Sequence, residues 1–398
     1  MIVRPFRVGP GRWSLLAALV ALLTGLVSIR AAWASLGQTA NVLTFFAGLI
    51  LLTAVLRRVG ALELLMDRME AWSGGSSRKL LAGTMVVTAV VTALFSNDAA
   101  ALLIAPSLIA RLRARGVPST PFILAMAIVA NSASLLLPVS NPVNLLLLDR
   151  DHMPVSSYLV HVTPAAVIGL LVTSSVLGLT SWRRLGVGAA RPLTRRSVDR
   201  TLLLQLAVLL GLLAAVDVAF ALRGLPLGPP TLAVAAVAVA AQMGRSGREA
   251  LGTLRVASWY LLPLVAGLAV LAAGLQQSHL LGQISTVAAG GASTASAQLR
   301  VGSLTALLAA LVNNLPAAFL VGSGLAAAHH LGTLAVPVIV GADLGPNLAP
   351  AGSLSTIMIF RAVGDHGGGP SWRSFWRLGA AAGSLGLAST LGVAALIR

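Results

Sequence analysis

The sequence predicts an all-α polytopic membrane protein with roughly 10–12 transmembrane segments divided between two related halves. Of its 398 residues 57% are hydrophobic and 10% are charged, which is too apolar for the surface of a soluble protein. Apolar runs of about 20 residues, the length that spans a bilayer, recur along the chain. Two groups of polar, glycine and proline residues interrupt these runs at corresponding places. Together these features exclude a soluble enzyme or binding domain.

The apolar runs give the order of the predicted spans. We place them near 13–30, 40–56, 80–110 (two segments), 121–148 (broken), 159–182, 201–222, 229–243, 256–275, 301–328 (broken), 334–360 (broken) and 377–397. The first run lacks a clear small-residue cleavage site and is followed by further spans, so we expect a retained helix. The chain has no cysteine, which excludes disulfides and thiolate ligands. We expect no metal site and no cofactor. Because no nucleotide-binding P-loop is present, we do not expect an ATP-hydrolysing enzyme.

The formal net charge of +17 is carried almost entirely by arginines in the predicted loops. The positive-inside rule then predicts a multi-pass protein with a cytoplasmic N-terminus. No aromatic residues interleave the basic clusters, so nucleic acid is not an expected partner. The segment 183–200 holds too many arginines to cross the membrane and is predicted to be a cytoplasmic linker. It separates an N-terminal membrane repeat, 1–182, from a C-terminal one, 201–398.

The two halves carry similar polar interruptions. The first half has Ser96-Asn97-Asp98-Ala99-Ala100-Ala101-Leu102 and then the stretch from Asn131 to Asn144; the second has Asn313-Asn314-Leu315-Pro316-Ala317-Ala318-Phe319 and then the stretch from Asp343 to Ser353. Asn131 and Pro138 are seven positions apart, as are Asp343 and Pro350. Paired interruptions of this kind mark the midplane binding site of secondary transporters. The pattern therefore indicates a secondary transporter.

Prolines and glycines within these stretches predict helices that break inside the membrane. A break frees backbone N–H and C=O groups, and lipid cannot hydrogen-bond them, so it must be buried in protein or line a wet cavity. The half-helix N-termini then point donors at a ligand, and amide and hydroxyl side chains both donate and accept. Such a site suits a small, oxygen-rich solute. The predicted solute-binding residues are Asn97, Asn131, Ser140, Asn141, Asn144, Asn314, Gly345, Asn347, Gly352 and Ser353.

Two aspartates, Asp98 and Asp343, lie within the interrupted stretches. An ionised aspartate at the bilayer centre costs about 2.5–3.5 kcal/mol on insertion scales, so each is a candidate ligand for a coupling cation or proton. The alternative is that each aspartate only caps a half-helix. Asp217 has no polar neighbours in sequence, and we expect it near the membrane interface rather than in the site. The pair His329-His330 is expected in a loop.

These residues resemble the arsenical pump membrane protein family of arsenite and antimonite efflux permeases. The resemblance rests on Asn97 to Leu102, Asn131 to Asn144, Asn313 to Ala317 and, most specifically, Gly341 to Leu354. It implies the ion transporter superfamily fold, with two inverted repeats that each contain a helical hairpin and a discontinuous helix. It also implies an inner-membrane exporter driven by the proton gradient or the membrane potential. Some members couple to a cytoplasmic ATPase subunit, and related proteins are often homodimers.

On this resemblance, Asn97, Asn131, Asn141, Asn314 and Ser353 are expected to contact the solute, while Asp98 and Asp343 bind the coupling proton. Two positions depart from the family's pattern: Asn131 stands where an aspartate is common, and Asn347 where a lysine is common. Other functions stay open. They are a sodium-coupled dicarboxylate or other anion transporter, a sodium/proton antiporter of the same superfamily, and a membrane scaffold or sensor that transports nothing. Paired midplane breaks have no obvious use in a scaffold.

Overall fold

The structure, a computed structural model, describes residues 9–182, 185, 200–255, 259–277, 290, 294–364 and 370–397. The described part of the chain is built from α-helices and short 3₁₀ turns, which confirms the predicted all-α class. The helices are α1 Pro10–Leu23, α2 Ile29–Val59, α3 Ala61–Ser73, α4 Ser77–Leu94, α5 Asn97–Ala114, α6 Thr120–Ala133, α7 Pro142–Asp151, α8 Val155–His161, α9 Thr163–Trp182, α10 Arg200–Leu222, α11 Gly228–Arg255, α12 Leu261–Gln277, α13 Ala295–Val312, α14 Asn314–Ala327, α15 Leu331–Leu344, α16 Leu354–Gly364 and α17 Trp372–Leu396.

Several helices are suited to a bilayer. Within the described ranges, α2, α4, α9, α13 and α17 are long and apolar enough to cross a membrane, and shorter apolar helices stand beside them. The protein is therefore an integral membrane protein. One predicted span is wrong: the run 13–30 is not a single helix. Helix α1 ends at Leu23, and Gly25 adopts the left-handed conformation that turns the chain into α2.

Each half contains a helical hairpin followed by a broken helix. In the first half, α4 and α5 form the hairpin, and α6 and α7 are joined through a 3₁₀ turn at Pro138–Ser140. In the second half, α13 and α14 form the hairpin, and α15 and α16 are joined through two 3₁₀ turns, Gly345–Asn347 and Pro350–Gly352. The interruptions predicted in these stretches are thus confirmed, because proline removes the donors on which a continuous helix depends.

The second hairpin begins differently from what its composition indicates. A Gly/Ser-rich stretch such as 291–303 is typical of a hairpin tip or a loop, yet α13 already starts at Ala295. The Thr294 hydroxyl accepts a hydrogen bond from the Ala297 N–H and so caps the helix. Residues 291–293 lie outside the described residues, as does most of the predicted linker 183–200.

Helices α9 and α17, which follow the two broken helices, pack against each other through reciprocal glycine–threonine pairs. A Cβ on Gly169 of α9 would collide with the Thr390 hydroxyl of α17, and a Cβ on Gly386 of α17 would collide with the Thr173 hydroxyl of α9. Small residues four positions apart allow such close helix approach in membranes. Because the same pair occurs once on each helix, the contact is symmetric between the halves.

Two large hydrophobic cores also combine the halves. One joins α3 to α6 with Ile359 and Val363 of α16, at the end of the second broken helix. The other joins α14 and α15 with Val143 and Leu147 of α7, at the end of the first broken helix. Each core therefore holds the hairpin of one half and the last segment of the other half's broken helix. This exchange brings the two breaks together in the protein interior.

Gly345, at the second break, lies against the backbone of α13. A Cβ at this position would meet the Ala306 carbonyl oxygen, and would come within 2.7 Å of the Ala306 Cα. We expect Gly345→Ala to destabilise the protein by about 1–3 kcal/mol, because backbone atoms cannot move aside as a flexible side chain can. The measurement is the unfolding temperature in detergent. Gly392→Ala is the matched control, since a Cβ there meets nothing within 4 Å; an equal loss in both variants would contradict the packing explanation.

Candidate functional site

The carboxylate of Asp343 is the centre of a first polar contact between the halves. Asp343 lies in the last turn of α15, and its Oδ1 accepts a hydrogen bond of 2.6 Å from the Nδ2 of Asn141 at the N-cap of α7. Ser134 and Asn144 also lie beside this carboxylate. Its second oxygen, Oδ2, is buried and has no hydrogen-bond partner among the described residues. One oxygen of a buried carboxylate is thus left for a proton or a ligand.

Two helix dipoles act on this carboxylate in opposite directions. In the last turn of α15 the helix's own dipole disfavours a negative charge, but the N-terminal end of α7 favours one. The capping interpretation is therefore wrong for Asp343: it lies at the end of its own helix, and the N-cap in this contact is Asn141, whose Oδ1 accepts from the Val143 N–H at 3.2 Å.

Asn131 is the centre of a second polar contact between the halves. Its Nδ2 donates to the Asn347 Oδ1 at 3.1 Å and to the Thr356 Oγ1 at 3.2 Å. The Ser355 hydroxyl donates to its Oδ1 at 3.4 Å and lies 2.6 Å from the Ser353 hydroxyl. Asn347 in turn donates to the Ser132 hydroxyl at 2.9 Å. This contact consists of neutral groups that both donate and accept.

The two contacts occupy equivalent places in the two halves. Asn131 and Asp343 each lie seven positions before a proline and ten before the N-cap of the next segment, which is Asn141 or Ser353. In both contacts this central residue lies against the start of the other half's second segment. One place therefore carries a carboxylate, and the equivalent place carries an uncharged amide. Asn131 and Asn347, the two departures from the family's pattern, are each other's hydrogen-bond partners.

Side chains close the first break by donating hydrogen bonds to the backbone carbonyls that the break frees. The Tyr158 hydroxyl donates to the Leu135 carbonyl and the Thr163 hydroxyl to the Leu136 carbonyl, both at 2.9 Å. Asn144 Nδ2 donates to the Ser134 carbonyl at 2.8 Å. These bonds replace those that an unbroken helix would supply. Asn144 therefore supports the break with its amide nitrogen, while its Oδ1 is buried and unpaired.

Sequence reasoning missed several of these residues. Ser132, Ser134, Ser355 and Thr356 follow the predicted residues by one to three positions, and hydroxyls so close to a predicted break were a usable signal. Tyr158 is one of two tyrosines in the chain, and a buried tyrosine usually finds a hydrogen-bond partner. Nothing in the local sequence of Tyr158 or Thr163 shows that they reach back to residues 135 and 136.

The hairpin tips lie apart from these bonds. Ser96 caps α5 by accepting from the Ala99 N–H at 3.0 Å, so Asp98 is not the capping residue. Asn97 and Asp98 are buried, and no described group hydrogen-bonds the Asp98 carboxylate. At the other tip Asn314 accepts from the Leu315 N–H at 2.9 Å. Ser140 joins the first break to the first hairpin by donating to the Ala93 carbonyl at 2.8 Å.

The remaining predicted residues lie against helix backbone, beside another side chain or in a turn. Gly345 and Gly352 lie against the backbone of α13, at Ala306 and Ala309, which accounts for the lack of a side chain there. Asp217 has no polar neighbours in sequence, but the Thr231 hydroxyl of another helix donates to its Oδ1 at 3.3 Å. His329 adopts a left-handed conformation in the turn between α14 and α15, which confirms the loop prediction for this pair.

Two hairpins and two broken helices that meet at buried polar contacts define a membrane transporter of the kind built around a midplane site. The family model for citrate transporters, CitMHS, matches residues 6–345, and the chain belongs to this family. It is 28% identical over 403 residues to the arsenical pump membrane protein of Escherichia coli (strain K12), a match that covers 95% of this chain and 91% of that protein. The resemblance inferred from the motifs is thereby confirmed.

Two further similarities are more limited. The chain is 28% identical over 185 residues to the silicon efflux transporter LSI3 of Oryza sativa subsp. japonica, which covers 46% of this chain and 38% of that protein. The crystal structure of the Alcanivorax borkumensis YdaH transporter aligns with a TM-score of 0.62 at 15% identity, covering 95% of this chain and 88% of that one. The structural match shows that the two proteins share a fold.

The bonds that close the first break should contribute to stability. We expect Tyr158→Phe and Thr163→Val each to lower the free energy of unfolding by about 1–3 kcal/mol, because each leaves a buried carbonyl unpaired. Thr180→Val is the control, since the Thr180 hydroxyl is bonded to Val176 within its own helix. Unfolding in detergent, followed by circular dichroism, measures the effect. Stabilities within about 0.5 kcal/mol of the control would show that the break does not depend on these hydroxyls.

Proposed function

We propose that this transporter exports a small, oxygen-rich solute, arsenite or antimonite, in exchange for protons or driven by the membrane potential. The observation that carries the proposal is the chemistry of the two contacts between the halves. The contact at Asn131 presents neutral amides and hydroxyls, and the equivalent contact presents the Asp343 carboxylate. Arsenite at neutral pH is mainly the uncharged trihydroxide, whose hydroxyls both donate and accept hydrogen bonds. The arsenical pump relatives, similar along 95% of this chain, support the same choice.

In this mechanism the solute binds at the second contact. The predicted solute ligands Asn131, Asn141 and Ser353 belong to the two contacts, and Asn347 is bonded directly to Asn131. Asn97 and Asn314 would complete the site from the hairpin tips. A neutral solute that replaces the Asn131–Asn347 hydrogen bond exchanges one set of uncharged hydrogen bonds for another. Breaking the Asn131–Asn347 bond on solute binding therefore loses little free energy. A thiol-free site also releases trivalent arsenic readily.

Asp343 would carry the coupling proton. Its unpaired Oδ2 offers the place for the proton, and Asn141 holds the other oxygen. A charged carboxylate in the membrane interior is costly. We therefore expect protonation of Asp343 to be accompanied by a change in its contact with α7. Asp98, buried in the first turn of α5, is the second candidate for proton binding. The two halves would then alternate access as inverted repeats around the site.

The proposal includes the setting of the protein. We place it in the inner membrane with its N-terminus and the linker 183–200 in the cytoplasm, following the distribution of arginines. The membrane repeats are taken as 1–182 and 201–398. The family resemblance implies two further partners, a cytoplasmic ATPase subunit and a second copy of the chain, and co-purification tests both.

The second candidate is a sodium-coupled transporter of a dicarboxylate or another anion. The family's description, citrate transporter, favours a carboxylate as the solute. The charges of the site oppose it. Among the described residues that form the two contacts, none is lysine or arginine, while Asp343 is acidic. An anion would therefore need bound cations or half-helix dipoles to offset its repulsion from that carboxylate.

Transport in everted vesicles tests the proposal. We expect a proton gradient that is acidic inside the vesicles to drive arsenite accumulation. Asp343→Asn should abolish this accumulation, because the amide keeps the shape of the contact but cannot take up a proton. Asp217→Asn is the matched control: this aspartate also lies in a membrane helix but contacts Thr231 outside the site. Both variants should insert at wild-type levels.

Two results would overturn this function. Gradient-driven arsenite accumulation that survives in Asp343→Asn removes the coupling role of the carboxylate. An absence of arsenite flux, together with sodium-dependent citrate uptake in right-side-out vesicles, replaces the exporter with the carboxylate transporter.

A further inference from the structure

Two threonine hydroxyls in α4 are completely buried and have no hydrogen-bond partner among the residues that the structure describes. They belong to Thr88 and Thr92. A threonine inside a helix ordinarily donates to the carbonyl four residues earlier. Other described threonines do so: Thr39, Thr44, Thr84, Thr180, Thr231, Thr305 and Thr390. The hydroxyls of Thr88 and Thr92 are therefore turned away from their own helix and toward its surroundings.

These two residues share one face of α4 and lie about 6 Å apart along it. After Thr92 the helix reaches the tip of the first hairpin. There the Ser140 hydroxyl donates to the carbonyl of Ala93, the residue after Thr92. The tip also carries Asp98. At the other end, one turn before Thr88, the Thr84 hydroxyl lies 3.8 Å from the Met69 sulfur of α3.

Helix α3 belongs to a charged cluster at the far end of this hairpin, which we call the arginine-rich end. Arg111 contacts Asp67 at 2.6 Å and Glu70 at 3.1 Å, and Arg115 contacts Glu70 at 3.2 Å. Glu70 Oε1 and the Nε and Nη1 atoms of Arg115 are buried without partners. Unpaired buried polar atoms thus occur at the arginine-rich end and again at Thr88 and Thr92, on the way to the hairpin tip.

We propose that Thr88 and Thr92 line a narrow water-filled passage that runs along α4 from the arginine-rich end to the tip of the first hairpin. Leaving a buried hydroxyl unpaired costs about 1–3 kcal/mol, whereas a buried water with two to four polar partners removes that cost. Two hydroxyls one helical turn apart are spaced for a bridging water. The passage takes water and protons, and it ends beside Asp98.

This inference rests on the proposed function for its use: the passage conducts the coupling proton between Asp98 and the arginine-rich side of the membrane. Thr305 in α13 is equally buried, but its hydroxyl donates to the Val301 carbonyl at 2.7 Å and needs no water.

The absence of cysteine from the chain allows a direct test. Thr88→Cys and Thr92→Cys are introduced singly and treated, in everted and in right-side-out vesicles, with a small membrane-impermeant methanethiosulfonate. Thr305→Cys is the matched control for a buried, self-bonded threonine. Val90→Cys controls for the lipid-facing side of the same helix, since Val90 is 46% exposed on the protein surface.

We expect both passage variants to react at least about tenfold faster than both controls, because the reactive thiolate forms where water reaches it. Reaction no faster than the controls in either vesicle preparation overturns the passage. This result does not depend on the transported solute, so it separates failure of the passage from failure of the proposed function.

Transport tests the proton role. The double variant Thr88→Val/Thr92→Val keeps the shape of both side chains and removes both hydroxyls. We expect its initial rate of proton-driven arsenite export to fall about tenfold, the effect of losing a hydrogen bond along the route, while Thr305→Val exports at the wild-type rate. If the double variant exports arsenite at the wild-type rate, the passage does not conduct the coupling proton, even if Thr88→Cys and Thr92→Cys react with the methanethiosulfonate.

Discussion

The hydrogen bond between Asn141 and Asp343 is the interaction on which the rest of the site depends. It joins the end of the first segment of one broken helix to the start of the second segment of the other, and it holds a carboxylate in the protein interior. A hydrogen bond to a charged group contributes about 1.5–3 kcal/mol, and a buried carboxylate without one is strongly destabilising. The helices therefore have to break where they do, because only a free helix N-terminus presents Asn141 to Asp343.

The two halves are similar in architecture but differ in charge. Reciprocal contacts between α9 and α17, and cores that exchange the last segments of the broken helices, place Asn131 and Asp343 in equivalent surroundings. In the function we propose, the contact with the amide would recognise a neutral solute and the contact with the carboxylate would bind a proton. A symmetric scaffold with an asymmetric charge is a simple way to couple two different ligands within one site.

Much of this architecture was predictable because it depends on local chemistry. Pro138 and Pro350 each lie among polar residues within an apolar run, and a proline removes a donor that a continuous helix needs, so the interrupted segments followed from the sequence. The partner of each polar residue was not predictable. The residues of the Asn131–Asn347 bond are 216 positions apart, and their meeting depends on how the halves pack. The same holds for Tyr158, whose hydroxyl closes the first break from another helix. The single span expected over 13–30 failed because hydropathy alone does not register a left-handed glycine at position 25.

A double-mutant cycle between Asn141 and Asp343 tests the central contact most directly. The free energies of unfolding in detergent are measured for the wild type, Asn141→Ala, Asp343→Ala and the double variant, with Asn141 and Asn347 as a control pair whose side chains share no hydrogen bond. We expect a coupling energy of about 1–3 kcal/mol for the first pair and values near zero for the control. Additive effects within about 0.5 kcal/mol for Asn141 and Asp343 would contradict it.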